Sequence, residues 1–172
     1  MVTGLVAVSG GFNDVPIEEL PTISLGERHV GNELATTVTG IRLSATAPVT
    51  EYDAPEGEEY LIVEATLENV TDDPNLFAGR LLRVIVGSID GNDAPDNVVE
   101  LRTGGYFDVL QPGLPTKIAF LWPVRAGTVD EGDTITIGIF ERYDMVDDPR
   151  FDDSKTNPVP VARITSTIGA TS

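Results

Sequence analysis

The sequence predicts an all-β protein, a two-sheet antiparallel sandwich of about seven to nine strands. Three observations carry that reading. Short runs rich in Val, Ile, Thr and aromatics alternate apolar with polar residues, the period-two pattern of a strand with one face on a core. Clusters of Pro, Gly, Asn and Asp separate the runs, and helical periodicity is scarce. With 172 residues, 41% of them hydrophobic, the chain is long and apolar enough to build one sizeable core.

The first strand is carried by Ile41, Leu43, Ala45 and Ala47, which alternate with Arg42, Ser44 and Thr46 and face inward as an apolar set. After a loop over Thr50–Glu59, the run Tyr60–Glu68 (YLIVEATLE) is the clearest strand, with Leu61, Val63, Ala65 and Leu67 inward and Glu64, Thr66 and Glu68 outward. Leu81–Ile89 is a third strand, ended by Asp90-Gly91-Asn92-Asp93. Val98–Arg102 and Tyr106–Leu110 are short strands on either side of Gly104-Gly105, and Gln111-Pro112-Gly113 is a turn. Lys117–Val124 places Ile118, Phe120, Trp122 and Val124 on one face. Pro123 lacks a ladder donor and is expected at a sheet edge or strand end. Thr134–Tyr143 comes next, with Ile135, Ile137 and Ile139 on one side and Gly138 as a candidate bulge, and Val159–Ile168 closes the chain as a last strand. A short helix is expected near Pro16–Leu20 or over Asp73–Leu81, where Asp72 or Asp73 would cap it and Pro74 occupy its first turn. Residues 1–22 read as an N-terminal segment, either an ordinary start or the stretch beyond a removed membrane anchor, and residues 23–172 as the sandwich with an extra C-terminal strand.

Charge and composition exclude several function classes. Asp and Glu number 28 against 11 Lys and Arg, a net charge of −17, which opposes contact with nucleic acid and with anionic membrane surfaces. The absence of cysteine removes thiolate nucleophiles and Cys-type zinc sites, and one histidine cannot supply a multi-histidine centre. No run reaches the roughly 20 apolar residues of a membrane-spanning helix.

The order of the strands brings a resemblance. Gly57-Glu58-Glu59-Tyr60 leading into Leu61–Glu68 and then Asn69-Val70-Thr71, with Ile89-Asp90-Gly91, Leu110-Gln111-Pro112-Gly113 and Phe120-Leu121-Trp122-Pro123-Val124 downstream, resembles the signature of bacterial extracytoplasmic immunoglobulin-like domains. That family holds many membrane-anchored proteins of unknown function and is similar to a secreted immunogenic immunoglobulin-like protein of mycobacteria. The resemblance covers roughly Ile23 to Tyr143. It implies an immunoglobulin-like sandwich, a place outside the membrane and a binding or scaffolding role, with no catalytic residues to carry over. The long segment Val98–Asp108 and the addition Met145–Ser172 depart from the family pattern.

No constellation equips the chain for catalysis. A Ser-His-Asp arrangement would have to use His29, which lies in the polar segment Gly26–Gly31 and reads as a surface or turn histidine. Adjacent acids such as Asp72-Asp73 are what solvated loops of an acidic chain contain, and nothing marks a glycosidase pair. Calcium is the one candidate cofactor. It takes hard oxygen ligands from loops, and Asp90, Asp93 and Asp96, or Asp147, Asp148 and Asp152, are the candidate ligands, although neither segment fits the twelve-residue helix-flanked calcium loop. Asn69-Val70-Thr71 fits the glycosylation sequon but reads as a turn in which Asn69 tolerates left-handed geometry. Trp122 belongs with the core, whereas Tyr106 and Phe107, beside a diglycine, are candidate anchors for a partner. The function expected is a non-catalytic extracytoplasmic binding or assembly module, with a protein partner bearing a basic patch. A homodimer through edge pairing of Val159–Ile168 is also open. The alternatives are a calcium-assisted carbohydrate-binding module, with Tyr106 in the stacking role, and an accessory subunit of a membrane complex.

Overall fold

The computed structural model describes residues 20–107, 109–143 and 158–172. Among them run ten strands: β1 (Thr22–Ile23), β2 (Arg28–Val30), β3 (Leu34–Ser44), β4 (Glu58–Asn69), β5 (Leu82–Val86), β6 (Ile89–Asp90), β7 (Asn97–Glu100), β8 (Thr116–Arg125), β9 (Thr134–Glu141) and β10 (Val159–Thr167). They form two five-stranded sheets, one in the order β1-β10-β9-β5-β6 and the other β2-β3-β4-β8-β7. The first is called sheet A and the second sheet B. Within these orders β3-β4-β8-β7 follows the A-B-E-D sequence of an immunoglobulin-type sandwich, and β10-β9-β5-β6 follows its G-F-C extended by one strand. The strand count exceeds nine because β1, β2 and β6 are only two or three residues long. Every strand pair is antiparallel except β1 with β10, which is parallel at Thr22↔Arg163 and Ile23↔Ile164.

The inward faces read from the sequence meet in one core. Leu61, Val63 and Leu67 of β4 and Ile118, Phe120 and Trp122 of β8 are almost fully buried there, facing Ile135, Ile137 and Ile139 of β9. The Phe120 and Trp122 rings stack at 6.3 Å between centroids, and the indole Nε1–H of Trp122 donates to the Asp93 carbonyl at 3.3 Å. Trp122 is thus a core residue that also tethers the loop after β6. Pro123 lies beyond the last β7 partner, Asn97↔Leu121, where one side of β8 has no neighbouring strand to need its missing donor.

Several local expectations are corrected. β3 starts at Leu34 and stops at Ser44, so Ala45 is exposed and leaves the strand, while Ala47 is buried outside the main core. The strand expected over Leu81–Ile89 folds back on itself at Gly87-Ser88, with Gly87 at φ 56, a left-handed conformation that favours glycine. The described residues of Tyr106–Leu110 form no strand; Tyr106 and Leu110 each make a single bridge, to Val99 and Asn75. In place of a helix capped by Asp72 or Asp73 there is one short 3-10 turn, Ala78–Arg80, preceded by Phe77 without a side-chain cap. Asn75 organises its approach, its Oδ1 accepting the Phe77 N–H at 2.8 Å. Gly138 pairs in register with Arg83 and Arg163; the ladder is irregular instead between Pro160 and Ala162 on β10 and between Val38 and Gly40 on β3. β10 pairs along its length with β9, and β1 covers its other side at Arg163 and Ile164. The alternative helix position, Pro16–Leu20, and the candidate ligands Asp147, Asp148 and Asp152 lie outside the described residues apart from Leu20.

Candidate binding cleft on the outer face of sheet B

Sheet B is covered on both sides. Residues of β4, β8 and β7 that point away from the main core should meet water, yet Tyr60, Ile62, Val99, Ala119 and Leu121 are buried and, with Ala47, form a second apolar cluster. The register explains the grouping, since Ile62, Leu121 and Asn97 stand side by side across three strands, and Ala119 faces Val99. Two loops supply the cover. The connection from β3 to β4 closes into a small hairpin, with the Ala47 N–H donating to the Tyr52 carbonyl at 2.8 Å and the Ala54 N–H to the Ala45 carbonyl at 2.8 Å. The other is the turn after β7, where the Gly104 N–H donates to the Glu100 carbonyl at 2.8 Å and the Glu100 N–H to the Gly105 carbonyl at 3.0 Å.

These loops touch at Gly104. Its φ is 73, and a Cβ there would come within 2.8 Å of Val49 and 3.1 Å of Thr50, so glycine is required by conformation and by space. Opposite it Val49 and Glu51 also hold positive φ, 66 and 54, the first an outlying conformation for a β-branched residue. Between the loops lies a cleft of about 300 Å³ lined by Ala47, Thr50, Tyr52, Tyr60, Asn97, Val99, Gly104, Gly105, Tyr106 and Leu121. Its floor is apolar. Tyr52 and Tyr106, at its rim, expose 67% and 72% of their surfaces. No acidic or basic side chain belongs to the lining.

The base of the turn is charged. Thr103 Oγ1 donates to Glu100 at 2.8 Å and Arg102 Nε donates to it at 3.1 Å, and these contacts, the threonine first, hold the Glu100 carboxyl below its usual value. Thr103 Oγ1 in turn accepts the Gly105 N–H at 3.2 Å, which completes a turn that carries Tyr106 at its end.

The sequence singled out Tyr106 and Phe107 together; the structure separates them. Tyr106 lies on the cleft, whereas Phe107 is half-buried against the main core. Thr50, Tyr52 and Asn97 escaped the sequence reading. A signal was there in the continuous apolar stretches Tyr60–Val63 and Ile118–Trp122, which fit a strand buried on both faces better than one facing water.

The other candidates are placed elsewhere. Asp90 ends β6 and its Oδ1 accepts the Asn92 N–H at 3.0 Å, a contact that lowers its carboxyl from the usual value. Asp93 and Asp96 follow in the loop to β7, where the Asp96 N–H donates to the Leu121 carbonyl at 2.9 Å. Among the described residues no group of three or more His, Asp or Glu side chains is gathered as a metal would need. Asn69 is wholly buried, its Nδ2 donating to the Asp73 and Leu110 carbonyls at 2.6 and 3.0 Å and its Oδ1 accepting from Thr71. It therefore builds its turn through side-chain bonds, without the left-handed backbone expected of it, and its amide is spoken for in the folded protein. His29 stands on β2, with Nε2 3.3 Å from Glu141 Oε1 at the end of β9, so the pair joins the two sheets. Burial, and then the charge of Glu141 beside it, push the Tyr143 phenol above its ordinary value.

No family model matches the chain, and no curated protein matches it. Among solved structures it is similar to an uncharacterized β-sandwich protein from Clostridium difficile 630, with a TM-score of 0.58 and 17% identity over 86% of this chain and 96% of that one. At that identity the likeness is one of fold: both are β-sandwiches.

Proposed function

We propose that this protein is a non-catalytic extracytoplasmic binding module whose ligand site is the cleft on the outer face of sheet B. The observation that carries the reading is the pair of exposed tyrosines, Tyr52 and Tyr106, held over an apolar floor by two loops that brace each other at Gly104. Exposed aromatics cost little conformational entropy to order and contribute strongly to recognition. A volume of about 300 Å³ is at the small end of ligand pockets. The sandwich framework suits the role, as rigid sheets position loops that bind, and the cleft offers neither an acid–base pair nor an activated nucleophile. The place outside the membrane rests on the resemblance of the Gly57–Thr71 and Leu110–Val124 segments.

The test is a screen of chemically mixed fragments by amide chemical-shift mapping. Shifts should gather at Thr50, Tyr52, Asn97, Gly105 and Tyr106. Hits that gather on another face, such as the outer face of sheet A, would overturn the assignment of the site.

A further inference from the structure

We infer that the cleft takes a neutral carbohydrate, and that it does so without a metal ion; the inference rests on the cleft being the binding site. The first ground is charge. In a chain of net charge −17, ten residues line this cleft and none is charged. The surrounding negative field disfavours anions such as phosphates and uronic acids. A cationic ligand would find no carboxylate to pair with inside, and a calcium ion no acidic ligand. What the lining offers is uncharged and of two kinds. Val99, Leu121, Ala47 and the tyrosine rings present apolar surface, while the Asn97 carboxamide, the Thr50 hydroxyl and the phenol groups of Tyr52 and Tyr106 make no hydrogen bond to described residues and can donate or accept. That combination matches a pyranose ring, which has C–H faces that lie against aromatic rings and equatorial hydroxyls that demand both donors and acceptors.

The geometry also argues against an extended peptide. Peptides that add to a sheet need a free strand edge. The edge of β7 beside the cleft is occupied, since the Phe107 N–H donates to the Val98 carbonyl at 2.9 Å and the Glu100 N–H to the Gly105 carbonyl at 3.0 Å. A compact ligand that enters between Tyr52 and Tyr106 meets no such obstacle.

The experiment uses the whole chain and defined probes: cellopentaose, mannopentaose, xylopentaose and maltopentaose, with a pentamer of galacturonic acid as the anionic comparator and a proline-rich decapeptide as the peptide comparator. Each is titrated by amide chemical shifts and calorimetry, with and without chelator. At least one neutral oligosaccharide should bind with shifts at Tyr52, Asn97 and Tyr106, equally well in chelator. Tyr52→Ala and Tyr106→Ala should each weaken it by about tenfold, as loss of an aromatic anchor does, while Tyr106→Phe keeps the stacking ring and most of the affinity. If fragments still map to the cleft but none of the four neutral sugars binds, the site stands and the carbohydrate assignment falls. Binding that disappears in chelator, that favours the galacturonic acid pentamer or the peptide, or that ignores both tyrosine replacements would also overturn it.

Discussion

Gly31 shows how one missing side chain positions a buried charge. A Cβ there would lie 1.7 Å from Glu141 Oε1, so the glycine makes the niche in which that carboxylate reaches His29. Gly31→Ala should therefore expel the carboxylate and cost about 1–3 kcal/mol in urea unfolding, the range for breaking a buried polar pair. Combining it with Glu141→Ala should cost less than the sum of the two single replacements, because both act on the same pair. Val49 offers the opposite case. Its φ of 66 is strained for a β-branched residue, and Val49→Gly should raise stability by about 0.5–1 kcal/mol, relief of strain outweighing the entropy glycine adds to the unfolded chain. Thermal unfolding of the two proteins compares them directly. Tyr143 adds a pH effect. Its phenol is raised above 10.0 by burial and by Glu141. The unfolded chain then releases its proton first, so this group stabilises the fold below that value, and its contribution falls as pH rises through and above it. Absorbance titration should show a late phenol component that Tyr143→Phe removes.

Among the elements, the turn after β7 governs the cleft more than any strand does. Glu100 accepts from Thr103 and Arg102, and its lowered carboxyl means that the ion favours the folded turn. A depressed carboxyl contributes above its ordinary value of 4.5 and loses that contribution as pH falls below it. Protection of the Gly104 and Gly105 amides, taken relative to their intrinsic exchange rates at each pH, should accordingly fall under acid, and Glu100→Ala should show the lower protection already at neutral pH. The strands themselves were largely legible, because Leu61, Val63, Ala65 and Leu67, or Ile118, Phe120 and Trp122, repeat every second residue and a pleated strand turns such a set to one side. Element ends were less so. The chain turns at Ala45, at Gly87 and after Glu100 through short-range pairings, the Ala54 N–H to the Ala45 carbonyl, Val86 with Ile89 and the Gly104 N–H to the Glu100 carbonyl, and the alternation of apolar residues does not fix where such a pairing interrupts a strand.

Across the whole molecule, the double cover of sheet B is the decisive property. One face builds the main core with sheet A, and the other carries the smaller cluster around Ile62 and Leu121. Ile62→Ala should cost about 2–4 kcal/mol in chemical unfolding, as for a fully buried aliphatic in the main core, although a simple alternation would place residue 62 in water. A cost below about 0.5 kcal/mol, the scale of a surface change, would show that the outer cluster is not packed.

By itself, the order of apolar residues determined that the chain would be a two-layer sandwich with Trp122 inside, since period-two burial leaves few other ways to remove those side chains from water. Composition determined that the chain has no thiol chemistry, since it holds no cysteine. Only the tertiary structure decided that Tyr106 and Tyr52, 54 residues apart in the chain, share one cleft, and that Phe107 turns away from it. The reason is that a site on sheet B is assembled by cross-strand register and by two loops meeting at Gly104, both long-range outcomes of folding.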